Sequence, residues 1–174
     1  SSSKVIDRIY KIVYKEYKLD FNKFSFYKGD LRDKDFIENI FDKENSKDSK
    51  ISFVIHFAGL KSVRESNIIP LNYWDANVTG TIQLLDVMMK HNCKNLIFSS
   101  SATVYEASAN ECFSENDNIN PSNPYGNTKI TIEKLLRDIF NSDPNGWRIA
   151  CLRYFNPIGA HPSGLLGEDP SDNP

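Results

Sequence analysis

Tyr125 and Lys129 lie four residues apart within Pro121-Ser122-Asn123-Pro124-Tyr125-Gly126-Asn127-Thr128-Lys129. On a helix that spacing projects both side chains from one side. A tyrosine held beside an ammonium is easier to ionise, as a phenolic acid/base catalyst requires at neutral pH. The same spacing recurs at Tyr14 and Lys18, read as an exposed helix face. Spacing alone therefore assigns nothing, and the surroundings of Tyr125 must decide.

Those surroundings predict a helix. Pro124 suits a first helical turn, where its missing N–H has no partner to lose. Asn123 or Ser122 can cap it. Beyond Lys129, Ile132, Leu135, Leu136 and Ile139 repeat at helical spacing, so one face is buried. Earlier, Val5, Ile6, Ile9, Ile12 and Val13 predict a first helix to about Lys18, and Phe36, Ile37, Ile40 and Phe41 a second. After Pro70 a long helix is expected, with Trp74, Val78, Ile82, Leu85 and Met89 as its buried stripe. Asn77 within it either faces solvent or offers its amide to a ligand.

Four strands alternate with these helices. Residues 24–27 alternate in polarity and end at Lys28-Gly29-Asp30, reading as a short strand and turn. Residues 51–57 are apolar almost throughout, as in a strand covered on both faces, and stop at Ala58-Gly59. Residues 94–98 lead into Ser99-Ser100-Ser101-Ala102-Thr103, and 147–155 break at Asn156-Pro157. Helix–strand alternation predicts an α/β fold, a doubly wound parallel sheet with helices on both faces. Its strand ends would then open on one edge, from which the Tyr125 helix also begins, and such edges bind ligands. Taken singly, Ala58-Gly59 is a strand-ending turn and the serine run is a set of turn hydroxyls. Taken together, they converge on the tyrosine.

Composition narrows the class. The 174 residues suit one domain with a sizeable core. A net charge of −2 with scattered basic residues suggests neither nucleic acid nor an anionic membrane as partner. No apolar run approaches the ~20 residues that span a bilayer. Three widely spaced cysteines, Cys93, Cys112 and Cys151, suit reduced thiols in a cytoplasmic protein better than a disulfide frame or a zinc site. The polar run 45–50 reads as a surface loop, and the Gly- and Pro-rich residues 158–174 as a loop or a cut edge.

Four runs carry a resemblance. His56-Phe-Ala-Gly-Leu-Lys61, Ser99-Ser-Ser-Ala-Thr-Val-Tyr105, Asn123-Pro-Tyr-Gly-Asn-Thr-Lys129 and Leu152-Arg-Tyr-Phe-Asn-Pro-Ile-Gly-Ala-His-Pro-Ser-Gly164 resemble the UDP-glucose 4-epimerase family, within the extended short-chain dehydrogenase/reductase superfamily. Gly167-Glu-Asp-Pro170 extends the likeness. The resemblance implies a Rossmann-like NAD-binding domain and interconversion of UDP-glucose and UDP-galactose through a 4-keto sugar. It implies that Tyr125 takes the proton of the sugar 4-hydroxyl, that Lys129 holds the nicotinamide ribose and lowers the tyrosine pKa, and that Ser101 relays the proton. Asp30 and Leu31 would flank adenine. Phe57, Ala58, Gly59 and Lys61 would line the cofactor with Asn77 and Ser99, and Phe155 would contact nicotinamide. Lys61, Ser101, Tyr125, Phe155 and Asn156 would also bind the nucleotide sugar. No metal is implied.

Three positions depart from the family pattern: Arg64 and Glu106 stand where glycine is usual, and Asn127 where lysine or histidine is. No Gly-rich phosphate-binding turn follows an N-terminal strand, so the chain is expected to be a fragment. Residues 1–155 would be part of the NAD-binding domain and 156–174 the start of the substrate-binding region. The full-length enzyme would pair as a homodimer through the helices at about 72–90 and 125–140. Two other readings remain: a nucleotide-sugar dehydratase or decarboxylase, which needs an added acid/base near the serines, and a catalytically silent NAD-binding or dimerisation module.

Overall fold

A computed structural model describes residues 3–18, 24–46, 50–106 and 112–167. Residues 47–49 of the polar run and 168–174 of the tail lie outside the described residues. The chain forms two compact units: Ser1–Lys28 with Asn156–Pro174, and Gly29–Phe155. In the smaller unit, α1 (Ser3–Tyr17) realises the first apolar periodicity. Its Tyr10 ring meets Phe24 edge-on, with centroids 4.7 Å apart. Tyr14 is exposed, and Lys18 lies just past the helix end in a left-handed conformation. The second Tyr/Lys pair is thus a surface feature.

The larger unit holds a parallel sheet. Strands β1 (Val54–His56), β2 (Asn95–Ser101) and β3 (Arg148–Tyr154) pair in the order β1-β2-β3. Parallel pairing brings their carboxyl ends to one edge, as the alternation of elements requires. The sheet is shorter than expected. Residues 24–27 form no strand: among the described residues no β-ladder includes them.

The 51–57 segment is also corrected. Only three of its residues join the sheet, and Phe53, Ile55 and Phe57 are about half or more exposed while His56 is buried. β1 is an edge strand, and side chains alternate between two faces with period 2. Register places Val54 beside Leu96 and His56 beside Phe98 on the covered face. Within this unit the helices pack on that face. Ile37 and Phe41 of α2 (Lys34–Asn45) meet Leu84, Leu85 and Met88 of α5 (Gly80–Lys90), Ile132 and Leu136 of α6 (Pro124–Ser142), and Leu96 and Phe98 of β2.

Local sequence explains the helix starts. Asp33 caps α2 by accepting from the N–H of Phe36 at 3.0 Å, and Ser62 caps α3 (Val63–Ile68) by accepting from that of Glu65 at 3.2 Å. Each satisfies an otherwise orphaned helix donor. At α6 the capping residue is Asn123, whose side chain accepts from the N–H of Gly126 at 2.9 Å, with Pro124 in the first turn.

The helix expected after Pro70 is interrupted. α4 (Pro70–Tyr73) passes into a π-helical segment, Trp74–Thr79, before α5 begins. The Gly80 N–H bonds the carbonyl of Asp75, five residues back, and a π-turn inserts one residue relative to an α-turn. That insertion rotates the apolar phase. The buried face is Tyr73, Asn77, Thr81, Leu84, Leu85 and Met88, whereas Ile82 and Met89 of the expected stripe are 47% and 53% exposed and Trp74 is partly exposed. Thr81 supports the widened turn by donating its hydroxyl to the carbonyl of Asn77 at 2.6 Å.

Among the described residues no helix is long and apolar enough to cross a membrane, and Cys93, Cys112 and Cys151 are free thiols.

Candidate active site

β2 ends in the serine run, and α6 begins directly above it. Gly126 makes that approach possible. A Cβ there would lie 2.6 Å from the carbonyl oxygen of Thr103 and 2.8 Å from the Pro121 side chain. With the helix start held against the strand end, Tyr125 and Lys129 are buried at 8% and 4% exposure. The Lys129 ammonium donates to the carbonyl of Ser99 at 2.8 Å and lies over the Phe98 ring. The Ser101 hydroxyl accepts from the Thr103 N–H and hydroxyl at 3.2 and 3.0 Å, and lies close enough to the Tyr125 phenol to lower its pKa. Tyr125, Lys129, Ser99 and Ser101 therefore form one constellation.

Electrostatics refine the expectation for the phenol. Burial raises the Tyr125 pKa, and the neighbouring Ser101 hydroxyl opposes that shift. The Lys129 ammonium lies over the Tyr125 ring, 5.7 Å from its centre. Burial brings Lys129 itself down to about 8. Tyr73, fully buried, meets Tyr125 edge-on at 6.5 Å and donates its hydroxyl to Glu65 at 2.7 Å. Beneath the site, His56 shares a 2.8 Å hydrogen bond with Thr81. Burial and the nearby Lys129 charge push its pKa down to about 4, so it is neutral at physiological pH.

The loop after β1 carries Phe57, Ala58, Gly59 and Lys61, all exposed at the sheet edge. Gly59 has φ +147°, and a Cβ there would meet Asn77 Oδ1 at 2.9 Å. Asn77 is buried, which removes its solvent-facing reading. Its amide accepts from the Leu60 N–H at 2.7 Å and donates to the Leu60 carbonyl and to Thr128 Oγ1, both at 3.0 Å. Asn77 thus ties the Gly59 loop to the helix bearing Tyr125.

Asp30 and Leu31 sit at a separate corner. Arg32 bonds Asp30 and also Asp75 of the π-helical segment, each at 2.6 Å, and its hydrogen bonds hold the Asp30 carboxyl down at about 2. Leu31 packs over Gly80, where a Cβ would be 3.3 Å away. Phe155, 58% exposed, tilts against Phe113 at 6.1 Å. Asn156 begins the other unit's second segment. Of the departures, Arg64 is exposed on α3, Asn127 is half-buried, and Glu106 accepts from the side-chain amides of Asn118 and Asn120 at 3.4 and 3.2 Å.

Neither residue type nor motif points to Glu133 or Arg153. The signal for Glu133 is that Tyr125, Lys129 and Glu133 continue one i, i+4 series; Arg153 lies inside the quoted Arg-Tyr-Phe run. A recess of about 770 Å³ beside β3 is lined by Tyr105, Phe113, Glu133, Arg153 and Phe155, and reaches neither Tyr125 nor Lys129. The convergent polar groups lie instead at the strand ends.

The fold and this edge define a class. The chain belongs to the NAD dependent epimerase/dehydratase family, whose profile matches residues 4–169. More particularly, it is 51% identical over 150 residues to UDP-glucose 4-epimerase 2 of Oryza sativa subsp. japonica, covering 86% of this chain and 35% of that protein. It is 43% identical over 174 residues to UDP-glucose 4-epimerase of Bacillus subtilis, covering all of this chain and 48% of that protein. The UDP-glucose 4-epimerase of Bifidobacterium longum, solved in complex with NAD+ and UDP, superposes with a TM-score of 0.85 at 45% identity, over 97% of this chain and 47% of that one. The chain thus spans less than half the length of these relatives.

Proposed function

We propose that the protein, at the length of its relatives, interconverts UDP-glucose and UDP-galactose through a 4-keto sugar with NAD retained in the site. The observation that carries this reading is the Tyr125–Ser101–Lys129 constellation at the carboxyl edge of the sheet. Tyr125 holds and moves the proton of the sugar 4-hydroxyl, and Ser101 hydrogen-bonds the same oxygen and passes the proton. A nucleotide cofactor fits the residues present. The Gly59 turn is exposed and its backbone approaches Asn77 too closely for a side chain, and Lys129 spends one of its three donors on Ser99, leaving donors for a ribose hydroxyl. Asp30 and Leu31 would flank adenine, Phe57, Ala58, Gly59 and Lys61 would line the dinucleotide with Ser99, and Phe155 would face its nicotinamide. NAD, when bound, supplies the hydride acceptor and donor for sugar C4 and a positive ring that favours the Tyr125 phenolate. Lys61 would also bind the nucleotide sugar.

Epimerisation is favoured over dehydration or decarboxylation by the groups beside Ser101. Ala102 and Thr103 follow it, so no carboxyl is offered there. The neighbouring buried carboxylate, Glu133, is committed to Arg153 and to Ser100. Residues 1–155 are read as part of the NAD-binding domain, with 156–174 opening the substrate-binding region. A homodimer is read from the exposed Ile82 and Met89, seven apart and so on one helix stripe. A cytoplasmic location is read from the free thiols.

The test is conversion of UDP-galactose to UDP-glucose by the full-length protein and by Tyr125→Phe. The unaltered protein should epimerise, and the variant should lose roughly 10²–10⁴-fold in kcat, the span of general acid–base catalysis. Equal rates would remove Tyr125 from the chemistry, and an inactive parent would reject the whole reading.

A further inference from the structure

The helix face that carries the candidate acid/base extends one turn further. Tyr125, Lys129 and Glu133 rise along α6 in steps of four residues, covering roughly 12 Å. Each engages one of three consecutive residues of β2: Tyr125 with Ser101, Lys129 with the carbonyl of Ser99, and Glu133 with Ser100, whose hydroxyl donates to Glu133 Oε1 at 2.5 Å. Glu133 is in turn gripped by the Arg153 fork of β3, with Nε to Oε1 at 3.1 Å and the second nitrogen to Oε2 at 2.7 Å. The remaining terminal nitrogen of Arg153 donates to Tyr105 Oη at 3.1 Å, and the guanidinium lies 5.0 Å from the centre of that ring.

This network brackets the catalytic edge. Ser100 lies between the residue whose carbonyl anchors Lys129 and the residue whose hydroxyl meets Tyr125. Successive strand side chains point to opposite faces, so fixing the Ser100 hydroxyl fixes the rotation of the strand end and the direction of both neighbours. Tyr105 closes the far side of the Ala102–Val104 turn. That turn carries Thr103, whose N–H and hydroxyl both donate to Ser101 Oγ. A planar arginine fork fixes direction as well as distance, which a point charge cannot. Glu133 and Ser100 are 7% and 3% exposed, and apolar pairs of similar volume often replace buried ion pairs without loss of stability.

We propose that Glu133 and Arg153 are positioning residues for the epimerisation, locking α6 to β2 so that Ser101 and Tyr125 meet the same sugar oxygen. The inference rests on the reading under Proposed function. The experiment measures kcat, KM for UDP-galactose, bound NAD and thermal midpoint in the full-length protein, in Glu133→Gln, in Arg153→Lys, and in the double variant Glu133→Gln/Arg153→Met. Misplacement by an ångström can lower a rate about 10²-fold. Glu133→Gln and the double variant should therefore lose roughly 10- to 100-fold in kcat, with KM within about twofold and NAD retained. Arg153→Lys, which keeps the charge and loses the fork, should fall between them and the parent. The double variant buries no unpaired charge, so it should recover the parent's thermal midpoint while staying slow.

A double variant that recovers kcat along with stability would overturn the inference, leaving the pair a purely structural one. So would full activity in Arg153→Lys, which decides the matter if Glu133→Gln fails to fold, or a change in KM or NAD content with kcat intact. An inactive parent would take this inference down together with the proposed function. An active parent with unaffected variants would remove this inference alone.

Discussion

The ammonium of Lys129 donates to the backbone carbonyl of Ser99 at 2.8 Å, and this bond ties the middle of α6 to the strand end that carries Ser101. A carbonyl rather than a carboxylate accepts it, no ion pair to Lys129 is formed among the described residues, and burial brings the Lys129 pKa down to about 8. The sign follows directly. The unfolded chain, with an ordinary lysine near 10.5, holds its proton where the folded protein releases it. Stability should rise as pH increases from about 8 to about 10.5, and below about 8 the charge weighs against folding. Lys129→Met should flatten the thermal midpoint over that alkaline window and remove a cost on the order of 3 kcal/mol at neutral pH. It should also abolish measurable epimerisation. A midpoint in the variant that still climbs between pH 8 and 10.5 would assign the slope to another group.

Gly126 sets how closely the helix start approaches the strand end. A Cβ there would press on the carbonyl oxygen of Thr103, which is backbone and cannot swing aside. Gly126→Ala should therefore push the first turn of α6 outward and separate Tyr125 from Ser101. Overpacking of this kind costs about 1–3 kcal/mol, and kcat should fall at least as far as stability does. Denaturant unfolding alongside steady-state rates checks both. Gly159→Ala, where a Cβ would meet no neighbour within 4 Å, is not a clean control because its φ of +152° itself disfavours a side chain. Gly167→Ala, with only ordinary contact at 3.4 Å, is the better one.

Much of this site is legible in the sequence. Asn123, Pro124 and the Ile132–Leu136 periodicity place α6, and the parallel arrangement follows from the alternation of elements. Three features are not legible, each for a physical reason. The π-turn inserts a residue with no Pro or Gly inside Trp74–Thr79 to announce it, so the stripe through Trp74, Ile82 and Met89 falls on the wrong face. Residues 24–27 have strand composition, but a strand exists only with a partner. The Tyr125 pKa depends on burial and on where the Lys129 nitrogen points, and spacing fixes neither. Glu133 is legible in the spacing, since it continues the Tyr125 and Lys129 series.

The phase shift at Trp74–Thr79 makes a sharp contrast between adjacent methionines. Met88 is fully buried in the core cluster, whereas Met89 is 53% exposed. Met88→Ala should cost about 2–5 kcal/mol, the range for truncating a buried aliphatic chain. Met89→Ala should lie within about 0.5 kcal/mol of the parent when the protein is monomeric. If the exposed Ile82 and Met89 stripe pairs two subunits, Met89→Lys should lower the oligomeric mass in light scattering without unfolding the protomer. Comparable destabilisation by both alanine variants would reinstate the unbroken helix and its expected stripe.

His56 provides the corresponding test on the acid side. Its ring is buried on the covered face of β1, shares a hydrogen bond with Thr81, and faces the Lys129 charge across the core. Burial and that charge both disfavour a protonated imidazole, which places the folded pKa near 4, against about 6.5 for an unfolded histidine. Between those values the unfolded chain binds the extra proton, so stability should fall as pH drops from about 6.5 to about 4. The full effect is on the order of 3 kcal/mol. Loss of folding would loosen Thr81, and with it the Asn77 carbonyl and the turn around Gly59. His56→Gln keeps a hydrogen-bonding group toward Thr81 but cannot take up the proton. It should be less stable than the parent at pH 7 and should have a shallower acid limb in thermal unfolding between pH 6.5 and 4. An acid limb as steep as the parent's would assign the transition to carboxylates instead.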